Sequence, residues 1–307
     1  TPGRPDQPRS KMTVFLYFLT YLLACLGIAV FAAPMLHPWL FEPLGLAPES
    51  SLYRFAMLLA LLGLPFFLRL LGLNSWRAAG FGLPRREAWA ALGKGLLIGI
   101  AIMAALTTTL WLLDIRHFGP PADKWGLAYL LRTLLGGLVA GLAVGLIEET
   151  FFRGLLHTGM RRSLGFWPTT TLTALLYAAL HFMKPEALGD PHFDSTAAFD
   201  SITAGFGRIA DFAPISDSFI TLVIVGLFLS MVRERTGNIL WAIAIHAGWV
   251  MIIKLAKYLT NTSYVDGQAS FWVGEYDHIT GWMASLWLGL IATVYWYRTR
   301  SRAAPIR

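Results

Sequence analysis

Eight apolar runs govern what this chain can become: residues 13–36, 52–72, 90–113, 128–160, 166–183, 219–233, 238–258 and 281–298. Most are as long as the ~18 residues at which an apolar segment reads as a membrane span. In hydrocarbon every backbone N–H and C=O must be satisfied within the protein, so such runs fold as helices. Composition agrees: 14% of residues are charged and 56% hydrophobic, with a mean hydropathy of +0.56. A soluble domain carries about 25% charged residues. The expected fold is all-α, a polytopic transmembrane helical bundle of about eight spans. One integral membrane domain covers 13–298, between short tails at 1–12 and 299–307. The first run is too long for a secretory signal peptide. The single cysteine, Cys25, lies inside that run, so no internal disulfide forms and no Cys/His metal spacing exists.

The net charge of +7 does not point to nucleic acid, because the basic residues flank apolar runs, as the positive-inside rule describes. Alternate connections assigned to one side hold Arg4, Arg9 and Lys11, then five cations from Arg69 to Lys94. Arg153, Arg161 and Arg162 follow, then Arg233 and Arg235, then four from Arg298 to Arg307. That side takes seventeen of the 25 Lys and Arg, and the other takes eight. The side with eight cations also carries an acidic connection, 184–218, with Glu186, Asp190, Asp194, Asp200, Asp211 and Asp217. The expected location is a bacterial inner membrane with both termini cytoplasmic. Nothing in the sequence fixes an oligomeric state.

Within these runs lie ionisable residues that lipid disfavours: Glu148, Glu149 and Arg153 in the fourth, His181 in the fifth and His246 in the seventh. A charge at the bilayer centre costs at least ~2.5–3.5 kcal/mol on insertion scales, which makes each a functional-site candidate. At ~1.5 Å rise per residue, Glu148, His181 and His246 sit roughly 20, 24 and 14 Å from the cytoplasmic end. These depths overlap in a core ~30 Å thick, which argues for one polar chamber. Glu148 and Glu149 point about 100° apart on a helix. Arg153, four residues after Glu149, is at the spacing where helical side chains meet. The expected division pairs Glu149 with Arg153 and turns Glu148 to the chamber. A carboxylate with an imidazole can activate water, and a second donor can stabilise an oxyanion. Neutral His and carboxylate are also zinc ligands, but no His-Glu-x-x-His spacing is present. Gly137, Gly141 and Gly145 precede the glutamates at four-residue spacing, which lets a neighbouring helix approach closely.

Glu148-Glu149-x-x-x-Arg153, then Tyr177-x-x-x-His181, then His246 after Gly237-Asn238-Ile239-Leu240-Trp241 resemble the three motifs of the CAAX prenyl protease and bacteriocin-processing family. These are intramembrane glutamic endopeptidases of the type II CAAX protease kind. The resemblance covers roughly residues 125–260. It implies that Glu148 and His181 activate the water, that Glu149 and Arg153 support the site, and that His246 contributes to the oxyanion hole. It implies no cofactor and no metal. The second motif commonly has Phe where this chain has Tyr177. The family usually has Asn or another polar residue four positions after the last histidine, where this chain has Val250. Trp249 then becomes a candidate oxyanion donor through its indole N–H, with Tyr177 as a second candidate substrate contact.

The expected activity is hydrolysis of a peptide bond in a membrane-tethered peptide or protein, including C-terminal sorting or anchor segments. The partners are that substrate and membrane lipid, with no nucleic acid. Site depth beneath the acidic connection favours a tethered or exported peptide over a cytoplasmic prenylated protein. That connection reads as a solvated loop or as a partly ordered lid carrying Phe193, Phe199, Phe206 and Phe212. Two other readings stay open. Intramembrane Glu and His also serve proton-coupled transporters, and Val250 is compatible with a non-catalytic scaffold or immunity protein.

Overall fold

The computed structural model describes residues 12–73, 75–183, 193–262, 264–265, 268–269 and 271–302. Most of the N-terminal tail, Glu186 and Asp190 of the acidic connection, and residues 303–307 lie outside that set. The protein is a polytopic helical bundle. Its helices are α1 (Thr13–Leu36), α2 (Pro48–Leu70), α3 (Arg85–Leu112), α4 (Leu127–Glu149), α5 (Thr158–Arg161), α6 (Phe166–Phe182), α7 (Ser195–Ala210), α8 (Ser216–Thr236), α9 (Leu240–Leu259) and α10 (Trp282–Thr299). A π-helical segment, Thr150–His157, joins α4 to α5 in one continuous rod. Among the described residues, six rods are long and apolar enough to cross a membrane: Thr13–Leu44, Pro48–Leu70, Arg85–Leu112, Leu127–Arg161, Ala213–Thr236 and Leu240–Leu259. The two remaining expected spans are occupied by α6, with 17 residues, and α10, with 18. α6 is short, and Trp282, Trp287, Tyr295, Trp296 and Tyr297 lower the hydropathy of α10.

α9 is wedged between α3 and α4, and glycines on all three helices allow it. A Cβ on Gly99 would stand 2.3 Å from the Ile245 carbonyl, and one on Gly248 would stand 2.8 Å from the Leu96 carbonyl. On α4, a Cβ at Gly141 would meet the Ala247 carbonyl at 2.6 Å, and one at Gly145 the Ile243 carbonyl at 2.9 Å. The neighbour admitted by the Gly137-Gly141-Gly145 stripe is therefore the helix that carries His246. The start of α9 is fixed locally. Gly237 ends α8 in the left-handed region at φ 70°, a conformation that favours glycine. The Asn238 side chain then accepts from the Leu240 N–H, satisfying one of the donors left open at a helix start. His246 follows two turns later.

The acidic connection contains α7, a helix the sequence reading did not assign. The Asp194 side chain accepts from the Ala197 N–H and starts it. Ala198 and Ile202 bury against Ala29, Val30 and Ala33 of α1 and Leu52 of α2, while Phe199, Phe206 and Phe212 stay exposed. Small residues make up most of the buried face, so its apolar periodicity is weak in the sequence. At the same end of the bundle, β1 (Arg116–Phe118) pairs antiparallel with β2 (Thr260–Thr262). Buried Arg116 staples this end by donating to Thr260, Thr262 and the His278 carbonyl. A second small antiparallel pair joins β3 (Tyr264–Val265) and β4 (Gln268–Ala269).

Candidate active site

The site is assembled where α4 ends. Glu149 and Arg153 are fully buried, with Arg153 Nη1 3.0 Å from Glu149 Oε1. The same carboxylate oxygen lies 3.0 Å from His246 Nδ1. Arg153 Nη2 donates to the Gly226 carbonyl of α8 at 3.1 Å, and its guanidinium sits 4.8 Å from the Tyr177 ring centroid on α6. One ion pair thus ties α4 to α6, α8 and α9. Arg153 lies in the π-helical segment, a local widening of the helix often found at functional sites. Gly226 itself is close to α6, where a Cβ would meet Ala174 at 2.7 Å.

The two histidines are oriented by their Nδ1 atoms. His181 Nδ1 is 2.8 Å from the Tyr177 carbonyl, which can only accept, so Nδ1 carries the hydrogen. His246 Nδ1 faces the Glu149 carboxylate and donates to it in the same way. Both rings therefore present Nε2 to Glu148. His181 Nε2 stands 4.0 Å from Glu148 Oε2, and His246 Nε2 stands 3.9 Å from it. These separations exceed a direct hydrogen bond. They fit one bridging oxygen about 2.8 Å from each atom. The Glu148 side chain is 22% exposed, and its Oε2 has no hydrogen-bond partner among the described residues.

The structure thus brings Glu148, Glu149, Arg153, Tyr177, His181 and His246 into one constellation. Trp249 stands one turn beyond His246. It is buried against Phe228 of α8, and its indole N–H has no acceptor among the described residues. Val250 is half-buried and offers no donor. Two tyrosines near Glu148 were not singled out in the sequence. Tyr53 of α2 and Tyr276 of the α9–α10 connection both feel the Glu148 charge. Burial pushes the Tyr276 phenol well above its ordinary range, and Asp277 and Glu148 add to that. Its ring rests 4.8 Å from that of Phe182, one residue after His181. No motif spacing links residues so far apart in the chain. Among the described residues, no group of three His, Cys, Asp or Glu side chains is arranged to hold a metal.

Residues 130–252 match the family model described as type II CAAX prenyl endopeptidase Rce1-like. The match spans α4 through most of α9 and includes Glu148, Glu149, Arg153, Tyr177, His181, His246 and Val250. No curated protein and no solved structure matches the chain significantly. The helices that build this site thus resemble those of the Rce1-like family, CAAX-type intramembrane proteases, over residues 130–252.

Proposed function

We propose that the protein is a glutamic-type intramembrane endopeptidase that cleaves a membrane-tethered peptide or protein, with Glu148 as general base. The observation that supports this most directly is the approach of both imidazole Nε2 atoms to Glu148 Oε2, at 4.0 and 3.9 Å. A water held between them gives its proton to Glu148 as its oxygen attacks the scissile carbonyl. His181 orients that water. His246, as an imidazolium whose Nδ1–H is held by Glu149, directs Nε2–H at the developing oxyanion, and the Trp249 indole N–H is the second donor. The proton on Glu148 then passes to the leaving amine, which restores the carboxylate. Glu149 and Arg153 act as positioning residues. The substrate is a tethered or exported segment, such as a C-terminal sorting or anchor sequence, approaching from the α7 end.

Purified Glu148→Gln protein, assayed on tethered model peptides, is expected to lose cleavage by the ~10²–10⁴-fold typical of a missing general base. Its thermal unfolding midpoint should stay close to wild type, and chelators should leave wild-type cleavage unchanged. Cleavage retained by Glu148→Gln would remove Glu148 from the mechanism.

Val250 favours a second reading, a non-catalytic membrane scaffold or immunity protein, because it takes a donor away from the third motif. Trp249→Phe separates the two. On the proteolytic reading it lowers kcat by the ~10²–10³-fold cost of one oxyanion donor, and Val250→Asn in that background restores part of the loss. A protein with no measurable turnover, in which Val250→Asn creates none, is a scaffold.

A further inference from the structure

At the end of the bundle that carries α7, the α4–α9 seam opens into a cavity of about 440 Å³. Its lining includes Lys124, Tyr129, Arg132, Gly136, Lys254 and Tyr258, and it holds three cations and no acid. Among the described residues none of these cations takes part in an ion pair. Lys257 stands less than one helical turn beyond Lys254. Three of the eight Lys and Arg that the sequence assigns to this end thus line one groove, and Lys257 lies off its lining. Like charges brought together at a membrane boundary repel one another, and the positive-inside rule gives this end no reason to collect them. An anion is the partner that removes the repulsion.

Three features select the anion. The groove lies on the lipid-facing flank, where Leu131, Leu135 and Val139 of α4 expose apolar side chains. Tyr129 and Tyr258 stand beside the cations, as amphipathic rings do at the level of lipid headgroups. Deeper in, the wall is Gly136 and Gly137, and a Cβ built on Gly136 would meet nothing within 4 Å. Cations at the rim and a bare-backbone slot beneath them match a phosphodiester with an acyl chain below it. We propose that this groove is a specific binding site for an anionic phospholipid, its phosphate held by Lys124, Arg132 and Lys254. Gly137 packs against Met251 of α9, so the lipid lies against the same helix pair that carries Glu149 and His246. The site is remote from the chemistry: Gly137 and Glu148 are separated by roughly 17 Å along α4.

The test is native mass spectrometry of the full chain in neutral detergent, titrated with phosphatidylglycerol or phosphatidylcholine. Wild type is expected to retain one phosphatidylglycerol at least about tenfold more tightly than phosphatidylcholine. Arg132→Gln/Lys254→Gln should weaken phosphatidylglycerol about 30-fold, and Lys124→Gln about fivefold. Lys257→Gln, off the lining, should change it by less than about twofold. The single Lys124→Gln variant decides the matter if the double variant unfolds in detergent alone. Equal affinity for the two lipids, an unchanged affinity in the variants, or an equal loss in Lys257→Gln would overturn the site. Displacement of the lipid by millimolar inorganic phosphate would instead identify a free-anion site and overturn the lipid assignment.

Discussion

Arg153 and Glu149 lie 3.0 Å apart with no solvent exposure, so neither can lose its partner without leaving a charge stranded in the bundle. Breaking a buried ion pair typically costs about 3–5 kcal/mol, whereas replacing both members with apolar residues of similar size is often neutral. Glu149→Leu and Arg153→Met should therefore each lower the thermal unfolding midpoint strongly, and the double variant should recover most of the loss. Cleavage should not recover with stability, because His246 Nδ1 loses its carboxylate in the double variant. Parallel recovery of stability and turnover would mean that the pair serves packing alone. The four-residue spacing makes the Glu149–Arg153 pair readable from the sequence. The bond from His246 to the same Glu149 oxygen is not readable, because the two residues meet only after α9 docks on α4. Tyr53 and Tyr276 are hidden for the same reason. Nothing local marks a tyrosine as facing Glu148 when the fold alone brings it there.

Helix approach sets the geometry of the site at the next scale. α9 reaches α4 only because Gly141 and Gly145 present backbone rather than side chain. A methyl group at Gly141 would stand 2.6 Å from the Ala247 carbonyl, and backbone cannot rotate away as a flexible side chain can. Gly141→Ala is expected to cost the ~1–3 kcal/mol typical of an overpacked core, and to lower turnover further by moving His246 away from Glu149. Gly93→Ala is the matched control. A Cβ there meets nothing within 4 Å, and alanine is the better helix former, so its thermal midpoint in detergent should hold or rise. The apolar runs reveal the long helices because lipid leaves the backbone no other spanning structure. The same reasoning is silent on three features. α7 hides its small buried face in polar composition. The π-helical widening at Thr150–His157 has no mark in the apolar pattern. The β1–β2 pair joins strands of three residues each, about 140 positions apart in sequence.

For the whole molecule, the orientation in the membrane decides which substrates can reach Glu148. On the proposed topology, flanking cations set that orientation. Seventeen of the 25 Lys and Arg fall on one side of an eight-span arrangement, and each juxtamembrane cation biases its segment toward the cytoplasm. The helix order carries the alternation through. The connections α2–α3, α5–α6 and α8–α9 fall at one end, together with the start of α1 and the end of α10, and α7 falls at the other. The expected topology has the termini in the cytoplasm and α7 outside, which would put the mouth of the site on the outer face. Cysteine labelling can read this with little background, because Cys25 is buried in α1. Asp200→Cys on exposed α7 should react with a membrane-impermeant maleimide in intact spheroplasts, and Ser301→Cys only after permeabilisation. The reverse pattern would turn the site to the cytoplasm and replace an exported substrate with a cytoplasmic one, while leaving the Glu148–His181–His246 chemistry as it stands. On the proposed reading, orientation and mechanism are thus separable: charge outside the bundle would set the first, and charge inside it the second.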